Sequence, residues 1–178
     1  MNANNLLQSP ELVLSEGSEQ SVDIFLRPGE HFWGDARYSV RTILGSCVAV
    51  CLWNPISHEG GMCHIMLPSR TKKREPRCLD GRYADEALLL LFDELNHAAR
   101  KRFNEYEVKV FGGGRMFPTL ESPEVIGERN ITAVRALLTR FGMPIKSESL
   151  GGDCHRKIIF NIKTGEVLQQ KRLLNGIV

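Results

Sequence analysis

The chain has no apolar run approaching the roughly 18 residues that a membrane-crossing helix needs, so membrane insertion is not expected. It has little net charge. Lys and Arg number 23 against 21 Asp and Glu, leaving +2, too little to argue for nucleic acid as a partner. No internal repeat and no low-complexity tract is present. The first twenty residues, MNANNLLQSPELVLSEGSEQ, lack the basic-then-apolar order of a secretory signal, so the cytoplasm is the expected location. Cysteines are few and odd in number: Cys47, Cys51, Cys63, Cys78 and Cys154. Without a secretory signal that set does not describe a disulfide scaffold. Reduced thiols are expected, some buried as small hydrophobes, which leaves room for a catalytic one.

What is present suits a soluble globular protein: 178 residues, 42% hydrophobic and 25% charged, long enough for one sizeable core. Residues 1–20 are polar and aperiodic and read as a loose extension, leaving 21–178 as one domain. Val22 to Leu26 and Tyr38 to Leu44 read as strands, separated by the turn-rich Pro28-Gly29 and Gly34-Asp35 stretches. Val48 to Trp53 and Met62 to Leu67 are short and nearly all apolar, which suits strands covered on both faces. Tyr83 to about Phe103 reads as a helix, Val108 to Phe111 as a strand, and Ile126 to Phe141 as a second helix. In that second helix Val134, Leu137, Leu138 and Phe141 share one face, and Gly142 and Pro144 end it. From Ile145 to Leu168 strand and turn alternate, with Thr164-Gly165 a hairpin turn. The fold class is therefore α/β, with layered mixed β-sheets and two main helices.

The stretch TILGSC at 42–47 and the strand carrying His64 hold the chemistry. If Asn54 to Ser57 is a four-residue loop, Trp53 faces His58 and Cys47 faces His64. Directly opposed residues of an antiparallel pair share a face, with Cβ atoms about 4.5–5.5 Å apart. A thiol with an ordinary pKa near 8.5 is mostly protonated at neutral pH, yet the thiolate is the nucleophile. A neighbouring imidazole takes that proton, its cation steadies the sulfur anion, and it later protonates a leaving amine. Gly45 and Ser46 let backbone N–H groups approach a developing oxyanion. Thr42 is the nearest hydroxyl that can orient the imidazole.

The segments LGSCVAVCLWNP and GGMCHIMLP resemble the signature of CheD proteins, the chemoreceptor glutamine deamidases. RYAD at 82–85, FGGGRMF at 111–117, IGERN at 126–130, and Gly151-Gly152 with Asn161 and Thr164-Gly165 extend the likeness over nearly everything after residue 20. The resemblance implies a protein-glutamine glutaminase acting on methyl-accepting chemotaxis receptors. Cys47 is then the nucleophile, His64 its base, and a thioester the intermediate; no cofactor is called for. It also implies a layered α/β fold shared with the deamidating cytotoxic necrotizing factor toxins, and a CheC-type phosphatase as a partner that modulates activity. In some members the orienting threonine stands six positions before the cysteine, where this chain has Arg41; Thr42 is one place nearer. Val125 stands where many members have a polar residue. The rival reading is a weakly catalytic or non-catalytic module that binds and regulates such a phosphatase. A cysteine protease or a transglutaminase is a third.

Other features have plainer readings. Cys51, Cys63, Cys78, Cys154 and His155 do not form the two matched pairs of a structural zinc site, so no metal is expected. Cys154 and His155 replace smaller residues usual in the family. The basic run Arg70 to Arg77 reads as a solvated loop, with steering of an acidic receptor surface as its functional version. Gly112-Gly113-Gly114 lacks the spacing of a phosphate-binding loop, and tight turns or close substrate approach account for it.

Overall fold

Two burial patterns define the layers in the computed structural model, which describes residues 21–70, 78–99, 103–116 and 126–174. The strand Cys154–Asn161 buries every second residue, Cys154, Arg156, Ile158 and Phe160, and exposes or half-exposes those between. Strict alternation of this kind means one covered face. The strand Val48–Asn54 buries six of its seven residues, so both its faces are covered and it lies in a middle layer.

The described elements run β1 (Val22–Phe25), β2 (His31–Gly34), β3 (Tyr38–Leu44), β4 (Val48–Asn54), β5 (Glu59–Ile65) and α1 (Ala84–Ala99). They continue with β6 (Glu107–Gly112), α2 (Ile126–Arg140), β7 (Ile145–Leu150), β8 (Cys154–Asn161) and β9 (Val167–Leu173), and a short 3-10 turn at Phe103–Glu105 follows α1. One sheet has the order β1-β3-β8-β9 and the other β2-β5-β4-β6-β7. Both are mixed, since β1 with β3 and β6 with β7 pair parallel while the remaining pairs are antiparallel.

Period-two alternation in β4 separates two cores. Val48, Val50 and Leu52 join Leu88, Leu91 and Leu138 beneath the helices. Ala49 and Cys51 face the other way and pack with Leu44, Met62 and Phe160 between the sheets. The result is sheet on sheet on helices, the layered α/β arrangement expected.

Two local expectations change. The strand β2 is additional; with four half-buried residues it is too short for Phe32 and Trp33 to show a strand period. Strand β5 begins at Glu59 rather than Met62, because Gly60 and Gly61 belong to the ladder. A Cβ on Gly60 would stand 2.3 Å from the Leu52 carbonyl oxygen, and one on Gly61 2.4 Å from that of Phe32. These glycines mark close backbone approach, not a turn. The turn at Thr164-Gly165 is as expected: the Asn161 side chain accepts from the N–H groups of Lys163 and Thr164, and Gly165 takes a φ of 73°.

All five cysteines are free. Cys51 and Cys63 lie in different cores, on opposite sides of their sheet. Among the described residues no helix is long and apolar enough to cross a membrane. The proposed extension 1–20, Val125 and all of the basic run beyond Arg70 lie outside the described residues. Arg70 itself pairs with Glu86.

Candidate active site

The hairpin of β4 and β5 places Cys47 and His64 on one face, in a different register from the one the sequence suggests. Ala49 stands opposite His64, and Asn54 opposite Glu59. The loop is Pro55–His58, one residue later than expected, because Asn54 organises the turn. Its side-chain oxygen accepts from the N–H groups of Ile56 at 2.9 Å and Ser57 at 3.1 Å. Its carbonyl accepts from His58, which adopts a left-handed φ of 51°. The correction is two positions, an even number, so the face is kept. Cys47 packs against the core between the sheets, and His64, two residues beyond the inward-facing Met62, points to that same side. The two are diagonal neighbours, not directly opposed.

His64 is 1% exposed. Its Nδ1 lies 2.8 Å from the Thr42 hydroxyl oxygen, which lies 2.8 Å from the Leu26 carbonyl oxygen. A carbonyl only accepts, so the one hydroxyl proton goes to Leu26, and the hydroxyl oxygen then accepts from His64 Nδ1–H. That fixes the tautomer. Nε2 carries a bare lone pair, is buried, and has no hydrogen-bond partner among the described residues, Cys47 included. Arg41, the alternative position, is turned away: it pairs with Asp23 at 2.6 Å and lies over the Phe25 ring. Alternation along β3 sends residue 41 outward and residue 42 inward.

Burial pulls the His64 imidazole down to about 4, against weaker opposing pulls from the Leu26 carbonyl and Glu30. Burial likewise pushes the half-buried Cys47 thiol up from its ordinary value. The pair therefore rests as neutral thiol and neutral imidazole. The standing thiolate–imidazolium expected from the sequence is not the form that burial favours.

Three successive carbonyls fix the loop that carries Cys47. Gly45 accepts from Gly114 N–H at 2.8 Å and Cys47 from Gly113 N–H at 2.7 Å. Ser46 accepts from Asn130 Nδ2 at 3.0 Å. In a trans peptide the N–H points opposite to its C=O. The N–H groups of Ser46 and Cys47 are thus turned away from these anchors, and neither meets an acceptor among the described residues. The glycine run makes this approach possible. A Cβ on Gly112, at φ 114°, would sit 2.1 Å from the Cys47 carbonyl oxygen.

The family model for CheD chemotactic sensory transduction matches residues 66–171. A probable chemoreceptor glutamine deamidase CheD 2 from Albidiferax ferrireducens is 44% identical over 151 residues, covering 84% of this chain and 87% of that one. The chain belongs to the CheD family. A probable CheD 1 from Leptospira interrogans is 38% identical over 158 residues, covering 84% and 93% of the two chains. A probable CheD from Pseudomonas fluorescens is 41% identical over 152 residues, covering 83% of each. The family model begins just past His64, but any alignment over 84% of 178 residues must include positions 47 and 64. In shape, the Bacillus licheniformis hypothetical protein YfiH is a loose match, with a TM-score of 0.41 at 9% identity over 75% of this chain and 61% of that one, too loose to bear on function.

Of the residues read from the CheD-like sequence, Thr42 and His64 meet directly, and Cys47, with Gly45 and Ser46 just before it in the chain, borders the same inter-sheet core. Asn130 and the anchoring role of Gly113 and Gly114 were missed. Asn130 figured only as the last letter of IGERN, and a polar residue inside an apolar helix stripe was the available signal.

Two outcomes follow from the tautomer and the burial. Thr42→Val removes the acceptor for Nδ1–H and should lower kcat by about 100-fold, while Thr42→Ser keeps most of it; steady-state kinetics decides. The second concerns pH. The unfolded imidazole binds its proton near 6.5 and the folded one near 4. Stability tied to neutral His64 is whole above the upper value and is lost as pH falls toward the lower one, roughly 3 kcal/mol in all. The acid limb of kcat/KM should accordingly lie near 4; an inflection at the ordinary histidine value would contradict the burial argument.

Proposed function

We propose that the chain deamidates glutamine side chains of methyl-accepting chemotaxis receptors, with Cys47 as nucleophile, His64 as base and Thr42 as the residue orienting it. The supporting observation is the bare, buried Nε2 of His64, held by Thr42 on the same face as a half-exposed thiol. A module that only binds has no use for such an atom, since a buried acceptor without a partner lowers stability.

The reaction runs in two halves. Sγ attacks the carboxamide carbon as its proton passes to Nε2. The C=O becomes an oxyanion, received by the N–H groups of Cys47 and Ser46. The tetrahedral species collapses, the C–N bond breaks, and Nε2–H gives its proton to the departing ammonia. A thioester remains. Water then adds to it, losing a proton to Nε2; the C–S bond breaks, the thiol regains that proton, and the receptor side chain leaves as glutamate.

In this reading residues 21–178 act as one cytoplasmic domain, and a CheC-type phosphatase is the partner that modulates it. The test measures ammonia release and the amide-to-acid mass change on receptor fragments, for the native protein and Cys47→Ala. Native protein should convert specific glutamines and Cys47→Ala should fall to background. Silence from both on a competent receptor, with phosphatase binding intact, would establish the binding module instead.

A further inference from the structure

Asn130 is a fully buried polar side chain to which that reaction gives no part. It lies in the buried stripe of α2, in line with Gly127, Val134 and Leu138, where an apolar residue would be ordinary. Its carboxamide donates to two carbonyls: Ser46 at 3.0 Å, next to the nucleophile, and Met66 at 2.9 Å, two residues past the base. The ladder between β4 and β5 ends at Val48 opposite Ile65. One step further the chains part, and the carboxamide joins their carbonyls across the gap.

The orientation of that amide is not free. Both hydrogens of the NH2 are used, whereas Oδ1 is buried with no partner among the described residues. Turning the amide over would press Oδ1 against two carbonyl oxygens. An apolar residue of similar size would avoid the unpaired oxygen but leave both carbonyls unpaired, and the Ser46–Cys47 peptide would lose what fixes its rotation. That peptide carries the Cys47 N–H on the edge opposite Asn130. The helix layer lies on one side of this sheet and the core that Cys47 joins on the other, so the N–H is turned toward the reacting side.

We propose that Asn130 is a positioning residue for the oxyanion site: by donating to Ser46 and Met66 it holds the Ser46–Cys47 peptide with the Cys47 N–H aimed at the bound carboxamide. This rests on the deamidase reading. It also separates two properties of one cysteine. The thiol and its imidazole are held by other contacts, Gly113 on the Cys47 carbonyl and Thr42 on His64. Substitution at Asn130 therefore weakens acyl chemistry, which builds an oxyanion, and spares simple alkylation of the sulfur, which builds none.

The experiment compares native protein with Asn130→Ser and Asn130→Asp, measuring deamidation of a receptor fragment, alkylation of Cys47 by iodoacetamide, and thermal unfolding. Serine retains one short donor and aspartate none. A folded variant should lose about 100-fold in kcat, more for aspartate than serine, with KM and the alkylation rate within about twofold of native. Native-like kcat in a folded variant overturns the proposal. So does alkylation that falls in step with kcat, or failure of both variants to fold, since either makes Asn130 structural. A native protein that releases no ammonia overturns the deamidase reading itself, whereas active native protein with equally active variants overturns only the role of Asn130.

Discussion

A threonine hydroxyl has one proton, and Thr42 gives it to the Leu26 carbonyl. From that donation follow the direction of the bond to His64, the tautomer of the ring, and the bare Nε2 that a thiol can protonate. The arrangement spans both sheets. Leu26 follows β1, Thr42 lies in β3, and His64 in β5 of the other sheet. Packing of the two sheets thus sets the protonation state of one imidazole. Loss of the hydroxyl would let the ring turn or change tautomer without disturbing the strand that carries it.

The site departs from the rules of stable packing where its proposed chemistry needs it to. His64 Nε2 and Asn130 Oδ1 are buried without partners among the described residues, each a destabilising feature worth about 1–3 kcal/mol. The apolar layers on either side of β4 supply the surplus that tolerates them. Burial also favours the neutral thiol and the neutral imidazole. A cysteine held in that form is a poor target for stray electrophiles and oxidants, which react with the thiolate.

Much of this was legible in the sequence, and the reasons are specific. The register of the hairpin was misplaced by two, yet Cys47 and His64 still fell on one face because strands repeat every two residues. Thr42 was legible only as the nearest hydroxyl; that alternation along β3 turns it inward and Arg41 outward is a finding of the fold. The layers followed from the apolar runs of β4 and β5. Less local facts were not legible. The neutral resting state depends on burial, which spacing does not reveal. Asn130 lies 84 residues from Ser46 and 64 from Met66, so only the folded chain brings them together. Gly60 and Gly61 carry no side chain to extend the apolar pattern of β5, and glycine serves turns as well as close approach.

The tautomer of His64 decides whether the site holds a base at rest. Nitrogen NMR of isotope-labelled native protein at neutral pH distinguishes a protonated from a bare ring nitrogen. The ring should be neutral, with its proton on Nδ1 and Nε2 bare. A proton on Nε2, or on both nitrogens, would contradict it, because the base would then be absent before the reaction began.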